Sequence, residues 1–277
     1  SRGIGKVMLV NGKAYEEASR FPRLRTGTPS LDRLLAPDPG KDTGTYHVTR
    51  GGIIANVPHV IAGPVRLLAK VLMGASVRAQ LEPPLGGIGC DHVLYVECSN
   101  CFDPYVVSRV ANQHRLDPER VMGSIEIARS FNWDQTVEIV SRYTPAAVQP
   151  NDVILVSGLT IYFDPNESTH YEGLHHAIRG LKACLHNASP VYLLITVPVA
   201  NNSSFKPHGG HNLYHFGGVH VSVEWTKLQT GGTLTTWRLH QHPFQGPVVV
   251  KEFKASKRRL KRAKRDSFNN RSLDDFL

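Results

Sequence analysis

Short, almost uninterrupted apolar runs, separated by helical patterns, constrain this chain more than any other feature of it. Residues 92–97, 153–157 and 191–197 are dominated by Val, Ile, Leu and Tyr, and residues 124–128 are a less apolar version of the same thing. Between them, residues 104–114, 133–143 and 172–186 read as helices. A strand with one wet face alternates apolar and polar residues, whereas one covered on both faces has no need to. The alternation therefore predicts an α/β fold with a mostly parallel sheet and helices on both faces. Residues 64–80 read as a further helix, with Pro64 in a first turn that tolerates its missing N–H. Residues 45–49 read as a further strand. The pattern changes toward the C-terminus. Residues 219–227, 232–240 and 248–253 alternate, with Gly231-Gly232 as a turn signal, and predict antiparallel strands.

The totals set the frame for that fold. With 277 residues, 41% of them hydrophobic, the chain suits one large domain with a tail. No apolar run is long enough to cross a bilayer, and Met8-Leu9-Val10 is too short for a signal-peptide core, so a soluble intracellular protein without a membrane partner is expected. Cys90, Cys98, Cys101 and Cys184 are too few for a disulfide framework. Cys98 and Cys101 have the spacing of half a zinc site, but no second pair completes it. Structural thiols and no metal are expected. The net charge of +9 is uneven: from Lys251 onward ten Lys/Arg stand against four Asp/Glu, leaving +3 for the rest. Attraction for a polyanion is concentrated in the tail.

The order of several short motifs is informative in a different way. The opening motif is Thr26-Gly27-x-Pro29-Ser30-Leu31-Asp32-x-Leu34-Leu35. Asn100-Cys101-Phe102-Asp103-Pro104 follows a strand, and Leu116-Asp117-Pro118 leads to Ile127-Ala128-Arg129-Ser130-Phe131-Asn132. Gly209-Gly210-His211 with His215 comes last. In this order they resemble the catalytic core of the RecA/RadA recombinase superfamily, over roughly residues 22–253. The resemblance implies an N-terminal extension over 1–24, a RecA-like core over 25–253 and a basic tail over 254–277.

The resemblance also implies ATP chemistry, and the residues for it are replaced. A P-loop, G-x-x-x-x-G-K-[ST], wraps phosphates in glycine N–H groups, reaches them with Lys and holds Mg²⁺ with its hydroxyl. Laid against Pro58-His59-Val60-Ile61-Ala62-Gly63-Pro64-Val65, it puts Pro58 in the place of the first glycine, Pro64 in that of the lysine and Val65 in that of the hydroxyl. Ser99 stands where a carboxylate should position the attacking water. Glu97, two residues earlier, points the same way on a regular strand; it is either a displaced carboxylate or, as a strand-end Glu more often is, merely solvated. Ser157-Gly158-Leu159-Thr160 ends the strand where a magnesium-binding Asp is implied, and Thr196-Val197-Pro198-Val199 replaces an Asn-Gln nucleotide sensor. Phosphoryl transfer depends on positioning by these groups. The expectation is a pseudo-ATPase with no catalytic, cofactor-binding or metal-binding residues, and not an enzyme.

Residues 199–218 match a DNA-contacting segment of the superfamily and offer Asn201, Asn202, Ser203, Ser204, Lys206 and His208 to phosphates, although a mobile surface loop explains them equally well. His170, His175 and His176 are expected to be solvated. The tail carries Lys254, Lys257, Arg258, Arg259, Lys261, Arg262, Lys264 and Arg265 without an acid, a DNA-binding or nuclear-localisation run. After it, Asn270-Arg271-Ser272-Leu273-Asp274-Asp275-Phe276-Leu277 resembles the PIP box, Q-x-x-h-x-x-a-a, by which replication and repair proteins dock on the sliding clamp PCNA. Asn270 replaces the usual Gln, and Leu277 replaces a second aromatic. One tight turn brings Leu273, Phe276 and Leu277 to one side, an apolar plug that needs a pocket.

Taken together these features imply a catalytically inactive RecA/RadA-like accessory protein of DNA repair or replication. Its partners would be DNA, PCNA and a recombinase or polymerase. Its location would be intracellular and DNA-associated: cytoplasm or nucleoid, or the nucleus of a eukaryotic cell. The alternatives are a scaffold subunit of an Elongator-like, RNA-associated assembly and a noncanonical nucleotide hydrolase. Clamp binding separates the first from the second, and nucleotide binding isolates the third.

Overall fold

The structure is a computed structural model that describes residues 20–36, 51–201, 203, 205–229, 231–243 and 245–255. Helix α1 (Pro29–Leu34) precedes strand β1 (Pro58–Ala62) and helix α2 (Val65–Ala79). Then come β2 (Val93–Glu97), α3 (Pro104–Gln113), α4 (Pro118–Gly123) and β3 (Ile125–Arg129). Helix α5 (Trp133–Glu138) continues through a π-helical turn (Ile139–Tyr143) into α6 (Thr144–Ala147). Strand β4 (Val153–Ser157), helix α7 (Ser168–Asn187), strand β5 (Tyr192–Val197) and helix α8 (Gly210–Phe216) lead to β6 (Val219–Lys227), β7 (Thr233–Gln241) and β8 (Val248–Lys254). The eight strands form one sheet in the order β3-β2-β4-β5-β1-β6-β7-β8. All neighbours from β3 to β6 are parallel, and β6-β7 and β7-β8 are antiparallel. The α/β class and its antiparallel end are as the sequence predicts.

The period of two along the buried strands divides the core into two layers. Val60, Leu94, Val96, Ile154, Val156, Leu193 and Ile195 pack with α5 and α7 through Trp133, Leu174 and Leu181. Ile61, Tyr95, Leu155 and Leu194, pointing the other way, pack with α1 and α2 through Leu31, Leu34, Leu68 and Leu72. The helices start where the motifs place polar caps. Asp103 accepts from Tyr105 N at 2.9 Å ahead of α3, Asp117 from Glu119 N at 3.2 Å ahead of α4, and Asn132 from Gln135 N at 2.8 Å ahead of α5. Asp32 closes the opening motif back on itself, accepting from Thr26 N at 2.8 Å, Thr26 Oγ1 at 2.9 Å and Gly27 N at 3.2 Å.

One strand departs from the sequence reading. Residues 58–62, laid above against the P-loop, are β1, a central strand paired with β5 on one side and β6 on the other. Pro58 opens the strand, the position where a missing N–H disrupts a ladder least. His59 is buried and its pKa is pushed down to about 3, chiefly by burial. The neutral ring bridges backbone groups: Nε2 accepts from Ile54 N at 3.3 Å, and Nδ1–H donates to Val57 O at 2.8 Å. A proline and a histidine thus occupy a strand that composition does not announce. Residues 45–49, read as a strand, lie outside the described residues.

Candidate functional site

Strands β1, β2, β4, β5 and β6 run parallel, so their C-terminal ends share one edge of the sheet. The chain leaves β1 for β2 on one side, while β6 lies on the other. This divergence creates the crevice in which open α/β sheets bind ligands. The crevice holds about 480 Å³ between Gly63-Pro64-Val65, Pro198-Val199 and the β6 residues Val223, Glu224 and Trp225.

A P-loop lies between a strand and its helix, so the end of β1 at Ala62 moves the comparison. Gly63 follows the strand and stands at the first glycine of such a motif, while α2 already begins at Val65. Gly63 N donates to Val197 O at 3.0 Å, and Pro64 has no N–H to give. A Cβ on Gly63 would lie 2.4 Å from Val223 Cγ1, so β6 already covers this backbone. A junction of two residues does not form a P-loop cradle, and these groups do not fit a nucleotide's phosphates in that manner.

At the neighbouring strand ends, Glu97 is not solvated as expected but fully buried. Its Oε1 accepts from Ser99 N at 2.6 Å, Ser99 Oγ at 2.7 Å and Cys101 N at 3.4 Å, and Ser99 Oγ is 2.8 Å from Ser157 Oγ. The other oxygen, Oε2, is buried without a partner. The replaced positions Ser99 and Ser157 are therefore joined to each other and to Glu97. The carboxylate anchors the turn after β2, where Asn100 takes a left-handed φ of 53°. The cysteine spacing plays a packing role: Cys98 is buried and its thiol is pushed up to about 11 by burial. Among the described residues no group of three or more His, Cys, Asp and Glu is placed to hold a metal ion.

The segment after β5 is tied down at several points. Val199 bridges Pro207, Ala200 N donates to Lys206 O at 2.9 Å, and His208 N donates to Pro198 O at 2.8 Å. Thr160 Oγ1 donates to His208 O, and His208 Nδ1–H donates to Thr160 O, both at 2.9 Å. Phe205 stacks on His240, and Lys206 is exposed. The segment then forms α8, inside the stretch whose composition predicts only a loop. His170 is likewise not simply solvated, since its Nδ1 accepts from Asp164 N at 2.9 Å and its ring lies against Trp133. Exposed Lys254 ends β8. Lys257, Arg258, Arg259, Lys261, Arg262, Lys264 and Arg265, and the clamp-like Asn270, Leu273, Phe276 and Leu277, lie outside the described residues.

The Rad51 family model matches residues 23–170, more than half of the chain. This chain belongs to the Rad51 family. It is also 25% identical over 226 residues to the DNA repair and recombination protein RadA of Metallosphaera sedula, covering 76% of this chain. The chain spans 64% of that relative's length, less than two thirds. The RecA/RadA resemblance read from the motifs is thereby established. The expectation that the chain is not an enzyme is corrected by the same finding: Rad51 and RadA recombinases are ATPases, so membership places the chain in an enzyme family. Substitutions at single positions do not decide the chemistry of a whole chain, and Pro58, one of those counted, lies at the start of β1 and not in a phosphate loop. Among the described residues, no helix is long and apolar enough to cross a membrane.

Proposed function

We propose that this chain serves recombination-linked DNA repair, holding DNA along one edge of its sheet and through its basic tail, and docking on PCNA through its C-terminus. The observation that carries the reading is a convergence of cations. Lys206 lies in the segment leaving the C-terminal end of β5. On β6, which runs parallel to β1, Lys227 pairs with Thr233, and Thr233 pairs with Lys254. Lys227 and Lys254 therefore lie at the same end of the antiparallel strands, and in sequence the basic run Lys257, Arg258, Arg259, Lys261, Arg262, Lys264 and Arg265 follows Lys254. Exposed Trp225, two residues before Lys227 on β6, adds aromatic surface near them. Phosphate contacts from such residues give affinity without sequence preference. The Rad51 membership and the name of the RadA relative support the repair role. The spacing of Leu273, Phe276 and Leu277 supports the clamp.

Salt titration of duplex binding tests the DNA half. Contact with about six to eight phosphates gives a log–log slope of roughly −5 to −7. Deletion of 254–277 should remove most of the affinity, and Lys206→Ala in the shortened chain most of the remainder. Full affinity in the shortened chain, or a slope near zero, would defeat the reading.

A further inference from the structure

We propose that a recess at the far end of α2 from the crevice binds a phosphate monoester, gripped by Arg25, Arg33 and Arg78. The recess holds about 360 Å³, and Gly27, Asp32 and Gly51 are also among its walls. The three guanidinium groups come from three stretches of chain: the segment before α1, α1 itself, and the last turn of α2. Asp32 is the single carboxylate in the wall, and its oxygens already accept from Thr26 and Gly27. Among the described residues, none of the three arginines forms an ion pair. Arg25 Nε is buried without a hydrogen-bond partner.

The backbone is shaped to admit these side chains. Gly27 has a φ of +80°, and a Cβ there would lie 2.2 Å from Arg78 Nε. Gly86 has a φ of +87°, and a Cβ there would lie 2.5 Å from Arg25 Cδ. Arg78 and Arg25 thus pass over bare backbone where a side chain would crowd them. Burial pulls the Arg78 guanidinium below its ordinary value; Asp32 opposes this and the charge of Arg25 adds to it. The fold holds like charges together in a half-enclosed space, an arrangement that a multivalent anion relieves. Guanidinium forks match the oxygens of phosphate. A recess of this size takes a protruding terminal phosphate, whereas a continuous diester backbone needs an open groove.

The phosphate can belong to a phosphorylated side chain or to a small molecule, and the test separates the two. The full chain is titrated calorimetrically with inorganic phosphate in a chloride background of constant ionic strength, and its thermal unfolding is followed in parallel. A phosphoserine peptide and its unphosphorylated twin form the second arm. Inorganic phosphate should bind and raise the unfolding temperature relative to chloride. Arg78→Gln and Arg25→Gln should weaken binding at least about tenfold, as loss of a charge-assisted contact does. Arg33→Gln, on the exposed rim, serves as a second probe that leaves the core untouched, and Lys70→Gln on the outer face of α2 should change nothing. Tighter binding of the phosphopeptide than of phosphate supports the site with a protein side chain as source; phosphate binding without peptide binding supports it with a small-molecule source. Absence of a phosphate-specific effect in the wild-type chain, or undiminished binding in Arg33→Gln and the Arg25→Gln, Arg78→Gln pair alike, overturns the proposal.

Discussion

Alanine and glutamine at Glu97 should behave very differently, because one oxygen of this buried carboxylate carries nearly all of its work. Oε1 accepts two short hydrogen bonds from Ser99, at 2.6 and 2.7 Å, and a longer one from Cys101 N at 3.4 Å. Hydrogen bonds to a charged group contribute about 1.5–3 kcal/mol each, so the two short ones amount to roughly 3–6 kcal/mol. Against this stands the cost of burying Oε2 without a partner. Alanine removes the acceptor, leaves the Ser99 N–H unpaired and opens a void, for a net loss of about 3–5 kcal/mol. Glutamine keeps an acceptor at Oε1 but puts an amide at the unpartnered Oε2 position, so it should cost less than alanine without being neutral. Urea unfolding at pH 7, followed by far-ultraviolet circular dichroism, reads the difference as a lower midpoint at unchanged m. The melting temperature of the alanine variant should fall by on the order of 10 °C. A loss below about 1 kcal/mol for alanine, or glutamine worse than alanine, would refute the assignment of Glu97 as the anchor of the turn after β2.

Two further outcomes follow from the core and the opposite edge of the sheet. His92 lies between Asp152 at 3.0 Å and Glu126 at 2.9 Å; burial opposes its charge, but these hydrogen bonds and charges outweigh it and raise the pKa above 6.5. A raised folded-state pKa stabilises fully below the unfolded value and is lost as pH rises through the folded value, so the stability gap between wild type and His92→Gln should shrink from pH 6 to pH 8.5; a constant gap in urea melts would contradict it. Trp237, 1% exposed in the layer beneath α1, should cost about 3–5 kcal/mol as Trp237→Ala, and a calorimetric loss below about 1 kcal/mol would show that the sheet end carrying β7 is not part of the main core.

Much of the fold was legible because the signals were local and redundant. Residues 153–157 and 219–227 are strands over the ranges read from sequence, since continuous burial and alternation leave direct traces in composition. Asp103, Asp117 and Asn132 stood in the sequence only as parts of motifs, and their capping role became evident once the helices after them were placed. β1 was not legible: Pro58 and His59 weaken its apolar signature, and its strand character depends on partners at β5 and β6 far away in the sequence. The burial of Glu97 was hidden for a related reason. A strand-end carboxylate is ordinarily wet, and its burial here depends on the turn through Cys101 folding back over it. The grouping of Arg25, Arg33 and Arg78 left no trace in the sequence, because three separate stretches build it.

The docking of the C-terminus on the clamp tests the proposed role most directly. Leu273 and Phe276 are three residues apart in sequence, a spacing that one tight turn would bring to one side, and each side chain buried in the clamp would contribute on the order of 1.5–3 kcal/mol. Calorimetry of the full chain with PCNA should therefore show binding that falls at least about a hundredfold in the Leu273→Ala, Phe276→Ala double variant and little in Arg271→Ala. Equal binding by the double variant, or no binding by the wild-type chain, would contradict the account.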